Sequence, residues 1–176
     1  QVLENDAQLQ VQRYLIPKEQ QDIEHVLKNN PLIRLDSIFE TVRPMAVTRN
    51  SGSDVRVLEV STSDLPAYGS IVRPSKAVEV TFDGARKADS QFLRPNDIVL
   101  MIKGNVGKVG IVPQNVPPPG PEGWVIGQSA TALRLKPGAT VDPRAIFMLL
   151  RSPFGQRLLG NIVLGASSPL ISIREL

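Results

Sequence analysis

LRPNDIVLMIKGNVGKVGIV, Leu93 to Val112, sets two apolar runs on either side of a glycine-bearing turn with a lysine at each shoulder. Asp97 to Lys103 and Lys108 to Val112 are rich in β-branched and aliphatic residues, and Gly104-Asn105-Val106-Gly107 between them offers two glycines that take φ > 0 without steric penalty. The spacing predicts a β-hairpin. Lys103 and Lys108 then hold their ammonium groups beside exposed backbone N–H donors, an arrangement suited to a phosphate.

The strand pattern continues outward from this hairpin. Val55 to Val60, Val78 to Phe82 and Ala130 to Leu135 are further short apolar runs, punctuated by Ser51-Gly52, Leu65-Pro66, Tyr68-Gly69, Asp83-Gly84 and the proline-rich Pro113 to Gly123. Short strands joined by turns, with no alternating helices among them, imply a mixed, mainly antiparallel sheet. Beyond Pro137 the chain turns helical. Asp142-Pro143 and Ser152-Pro153 each place a capping residue before a proline suited to the first helical position, and Ile146, Phe147, Leu149, Leu150, Leu158, Leu159, Ile162 and Val163 supply apolar faces for the sheet. Upstream, Pro17 to Lys28 has helical spacing at Ile23, Val26 and Leu27 and ends at Asn29-Asn30-Pro31, and a second short helix is expected from Leu35 to Val42. The fold class is α+β, with short helices packed on the sheet and an N-terminal helical arm.

Composition narrows the function classes. A chain of 176 residues fits one domain or one domain with a small appendage, able to bury about 70% of its unfolded surface. It has no cysteine, hence no disulfide or thiolate metal site, and it has no apolar run long enough to span a bilayer and no export leader, which favours the cytoplasm. The net charge of +3 permits a nucleic-acid partner without requiring one. With Gln1 first and Ser172 opening a capping box with Glu175, the expectation is a segment of something longer, divided into a helical linker over 1–30, a main domain over 31–171 and the start of a spacer helix over 172–176.

No catalytic constellation emerges. Gly127-Gln128-Ser129-Ala130-Thr131 lacks the last glycine of a nucleophile elbow and runs into a strand where the elbow needs a helix, so an esterase using Ser129 is the weakest of three readings. His25, the one histidine, lies in a polar helix and reads as an exposed residue. Gly104 to Lys108 is too short between its glycines for a nucleotide-binding loop, with Val109 where a hydroxyl should meet Mg²⁺. No metal-ligand cluster, cofactor motif or methyl-donor loop is present. Trp124 reads as a core anchor and Pro117 to Pro121 as a stiff surface loop.

The order of features is more telling than any single motif. A helix leading into a strand within Leu32 to Val42, Val57-Leu58-Glu59-Val60-Ser61, Leu93 to Leu100, Gly104 to Gly110, Ile126 to Ala130, paired helices from Asp142 and Ser152, and Gly165-Ala166-Ser167-Ser168 before Ile171 follow in sequence. This set resembles a target recognition domain of type I restriction-modification DNA specificity subunits, over Pro31 to Leu176, and Ala7 to Asn30 resembles the linker found where such a domain follows an N6-adenine DNA methylase. A full subunit of that family has two recognition domains and two long spacer helices, whereas this chain has one domain and one nascent spacer.

The resemblance implies sequence-specific binding of double-stranded DNA by a non-catalytic module that positions a methyltransferase, either a separate subunit or a fused methylase domain, with a second recognition domain completing the site. Arginine reads guanine, asparagine reads adenine, and lysine and serine hold phosphate. The candidate DNA-binding residues are Lys103, Asn105 and Lys108 of the central turn, Arg43, Arg49, Arg73 and Lys76 from earlier loops, Arg86 and Lys87 in a strand-linking turn, and, as alternatives to a helix-bracing role, Ser167 and Ser168. The competing reading is a scaffold domain that docks a methylase subunit while its basic turns remain ordinary solvated surface.

Overall fold

Ile98, Val99, Leu100 and Met101 are all buried, because the strand they form carries an apolar layer on each of its faces. The computed structural model describes residues 18–44, 55–81, 89–165 and 167–173. It divides into two units, 1–33 and 34–176. Within the first, α1 (Lys18–Asn29) ends where Asn29 and Asn30 donate side-chain amides to the carbonyls of His25 and Val26, closing the last turn. His25 is exposed on this helix.

The second unit is built on two sheets. The first has four strands in the order β1 (Phe39–Val42), β7 (Ala130–Leu135), β4 (Ile98–Met101) and β5 (Val109–Ile111), all antiparallel. The second orders β3 (Lys76–Val80), β2 (Val55–Val60) and β6 (Trp124–Ile126), with β2 antiparallel to β3 and parallel to β6. The pleat of β4 explains the layering. Ile98 and Leu100 point to a cluster with Phe147 and Leu150 of α3 (Pro143–Arg151) and Leu159 of α4 (Pro153–Asn161), while Val99 and Met101 point to a cluster with Leu58, Val60, Trp124 and Ile126 of the second sheet. Each such aliphatic side chain contributes about 1.5–3 kcal/mol by leaving water.

The caps form as their sequences dictate. Asp142 Oδ1 accepts from the Arg144 amide at 2.9 Å and Ser152 Oγ accepts from the Gly155 amide at 3.1 Å, each with proline following the cap. The expected helix from Leu35 to Val42 is corrected in its second half. Helix α2 covers only Leu35–Ile38, and Phe39–Val42 extends into β1, where Phe39 lies opposite Leu135 and Val42 opposite Ala132. Backbone pairing along the open edge of β7 outweighs four residues of weak helical spacing. Two further strands, β8 (Val163–Leu164) and β9 (Leu170–Ile171), form a small hairpin; Val163, expected on the apolar face of a helix, instead pairs with Ile171 because α4 ends at Asn161. Among the described residues no helix is long and apolar enough to cross a membrane.

Candidate nucleic-acid interface

The β4–β5 hairpin forms as its glycines require, with Gly104 at φ 72° and Gly107 at φ 83°. Its amides correct one expectation. The N–H groups of Lys103, Val106, Gly107 and Lys108 donate to Ser129, Gly104, Met101 and Asn105 carbonyls, so the turn is held shut by its own backbone and offers few donors to a ligand. What it does present is charge.

Register places several candidates at one end of the first sheet. Arg43 follows Val42, which lies opposite Ala132; Lys103 lies just past Met101, which lies opposite Ala130; Lys108 precedes Val109, opposite Leu100. Among the described residues neither Arg43 nor Lys103 forms an ion pair, and Lys108 gives its Nζ to the neutral carbonyl of Thr62 at 2.8 Å. Three positive charges thus stand at this end with no carboxylate partner among those residues. The β8–β9 hairpin reaches the same place, through a bridge between Lys103 and Leu170 and the bond from the Ile171 amide to the Ile102 carbonyl, and its turn carries exposed Ser167 and Ser168. Asn105 is exposed at the tip of the central turn.

Two other candidates have acidic company. Lys76 opens β3 directly opposite Glu59 and pairs with its carboxylate, and Arg73 pairs with Glu122, which also lies 3.4 Å from Arg56. Arg73 and Glu122 line a cavity of about 390 Å³ with Ile71, Pro113, Asn115, Pro117 and Trp124, beside the proline-rich loop. Trp124 is an anchor of the core, and its buried Nε1–H has no hydrogen-bond partner among the described residues. Arg49, Arg86 and Lys87 lie outside the described residues, as do most of 172–176 and the greater part of 1–30.

The scaffold under the turn is rigid for reasons that pattern reading missed. Gln156 of α4 donates its amide to the Gly107 carbonyl at 2.9 Å and to the Leu150 carbonyl at 2.8 Å. At the opposite end of β4, Arg134 of β7 is buried against Asp97, with Nε and Nη2 at 3.1 and 2.7 Å from the two carboxylate oxygens, and it donates further to the carbonyls of Ser90 and Phe92. The Arg94 amide completes the set at 2.8 Å from Asp97. Burial pushes the Asp97 carboxyl up, against the pull of Arg134 and the Arg94 amide. An arginine inside ATALRL, otherwise apolar apart from threonine, and an aspartate just before an apolar run were the available signals.

Several solved structures resemble this fold. A chain from a type I restriction-modification system, solved in connection with complex assembly and conformational transition, superposes with a TM-score of 0.52 over 99% of this chain and 43% of its own length, at 14% identity. The HsdS subunit from Thermoanaerobacter tengcongensis gives a TM-score of 0.50 over 90% of this chain and 41% of its own, at 13% identity. The fold is that of type I restriction-modification S subunits. The S subunit from M. genitalium also matches, with a TM-score of 0.46 over 84% of this chain and 33% of its own, at 17% identity. The chain spans 33–43% of the length of these solved proteins. No protein-family model and no curated protein sequence matches it. The resemblance drawn from the ordered motifs is met at the level of the S-subunit fold.

Proposed function

We propose that the unit from Arg34 onward is a target recognition module of a restriction-modification system, which binds double-stranded DNA and performs no chemistry of its own. The observation that carries this reading is the set of cations without a carboxylate partner among the described residues, Arg43, Lys103 and Lys108, gathered at one end of a braced antiparallel sheet with polar Asn105, Ser167 and Ser168 beside them. Cations without carboxylate partners displace counterions from a duplex, whereas Lys76 and Arg73, already paired, gain less by meeting a phosphate. The S-subunit fold supports the same reading, and a methyltransferase, as a separate subunit or fused to this chain, is the partner that the module would position for N6-adenine methylation.

The test is a fluorescence-anisotropy titration of labelled duplex at several salt concentrations, with the Lys103→Gln, Lys108→Gln double variant beside the parent. Glutamine at 108 keeps a donor for the Thr62 carbonyl while removing the charge. The slope of log K against log salt is expected to become shallower by about 1.8, close to 0.9 for each phosphate no longer neutralised. An unchanged slope and affinity would favour a scaffold that docks a methylase subunit, for which Met148 and Leu149 on the exposed side of α3 provide apolar surface.

A further inference from the structure

Tyr68 is 89% exposed, more than any other large apolar side chain among the described residues. It stands at the tip of a loop between Ala67 and Gly69, whose φ of 78° turns the chain. The loop beneath it is firmly built. Leu65 and Ile71 bury their side chains on either side of it, against Gly110 of β5, where a Cβ would come within 2.8 Å of both. The Ile71 amide donates to the Ile111 carbonyl at 2.9 Å, and the Val72 amide to the Asp64 carbonyl at 3.1 Å, which closes the base of the loop. Asp64 is itself buried and accepts from the amide and hydroxyl of Ser61, both at 2.7 Å.

Two cations brace the loop from outside. Lys108 donates to the Thr62 carbonyl, and Arg151, at the end of α3 and 5.3 Å from the centre of the Phe147 ring, donates to the Ala67 carbonyl. Neither cation is paired with a carboxylate among the described residues, so Arg151 holds an uncompensated charge at the residue before the tyrosine and Lys108 another where the loop's chain enters. A ring held out in water on a braced loop contributes nothing to the core. It is preorganised for an external surface that offers stacking or apolar contact to the ring and an acceptor to the hydroxyl, with negative charge nearby for Lys108 and Arg151.

We infer that Tyr68 is a specificity-determining contact to the duplex, with its ring set against base edges or sugar in a groove while Lys108 and Arg151 lie along the phosphates. This rests on the DNA-recognition reading above and adds to it a neutral contact that charge counting does not reveal. The role predicts a signature unlike that of a lysine: loss of discrimination without loss of salt dependence.

The experiment uses the full-length protein containing this chain and two probes, a duplex selected from a random-sequence pool by the parent protein and an unselected random duplex, each titrated across salt. Tyr68→Ala is expected to weaken binding to the selected duplex about tenfold or more, to leave the random duplex and both salt slopes unchanged, and to unfold at the parent's temperature. Tyr68→Phe retains most of the discrimination. Equal affinity of Tyr68→Ala and parent for the selected duplex, or an equal loss on both duplexes, overturns the role of Tyr68 while leaving DNA recognition standing. A parent protein that retains no duplex and selects no sequence overturns the recognition reading, and the role of Tyr68 with it.

Discussion

Asp97 and Arg134 show how a single pair can fix a loop to a sheet. Either group alone would be a buried charge; together they satisfy each other and tie the Ser90 and Phe92 carbonyls and the Arg94 amide to β7. Asp97→Ala strands the guanidinium and is expected to lower unfolding free energy by about 3–5 kcal/mol, whereas replacing both residues by aliphatics of similar volume should restore most of the loss. Urea unfolding of the two variants checks this; equal instability would mean that the pair acts through something other than mutual compensation. Such a pair is illegible in sequence because its members lie 37 residues apart and meet only through the β4–β7 register. The same blindness affects the candidate cations. Lys76 and Lys103 look alike in a linear charge pattern, yet Glu59 lies across the ladder from one and no carboxylate partners the other among the described residues.

At the level of elements, features set by neighbouring residues are readable and those set by distant ones are not. The starts of α3 and α4 follow from Asp142-Pro143 and Ser152-Pro153, and the central hairpin follows from its glycines and flanking apolar runs. Helical spacing alone misassigns β1, which the motif order places as a strand after a short helix, because its state is decided by β7, far later in the chain, and β8 and β9 are only two residues each. The α3 cap yields a pH prediction. The side chain and amide of Arg144 hold the Asp142 carboxyl below its ordinary value, so its contribution is present above the unfolded carboxylate pKa and is lost as pH falls through the folded one. The α3 N-terminus is therefore expected to fray in acid. Amide-exchange protection at Arg144 should drop there in the parent and not in Asp142→Asn, which keeps the acceptor but cannot titrate; identical acid responses would contradict the role of the carboxylate. Gly110 sets a second test, because its missing side chain lets Leu65 and Ile71 dock. Gly110→Ala is expected to destabilise the unit by about 1–3 kcal/mol through overpacking and to weaken duplex binding by shifting the Tyr68 loop. Thermal unfolding and titration together report both effects, and a variant as stable and as tight-binding as the parent would contradict that packing.

For the whole molecule, the central claim is that one end of the four-stranded sheet, where β1 and β4 finish and β5 and β7 begin, faces DNA. Motif order makes the S-subunit fold legible at 13–14% identity to two of the solved chains that share it, because it reads turns and caps, which neighbouring residues set. Which cations stand uncompensated, and which loop lifts an aromatic beside them, depends on packing between distant segments. Site-specific photo-crosslinking is the most direct measurement of the claim. A photoreactive phenylalanine analogue is placed either at Asn105, on the tip of the central turn, or at Pro137, just past the far end of β7, and each protein is irradiated with duplex DNA. A salt-sensitive crosslink is expected from position 105 and none from position 137. Equal crosslinking from both positions, or a crosslink from position 137 alone, would contradict the claim.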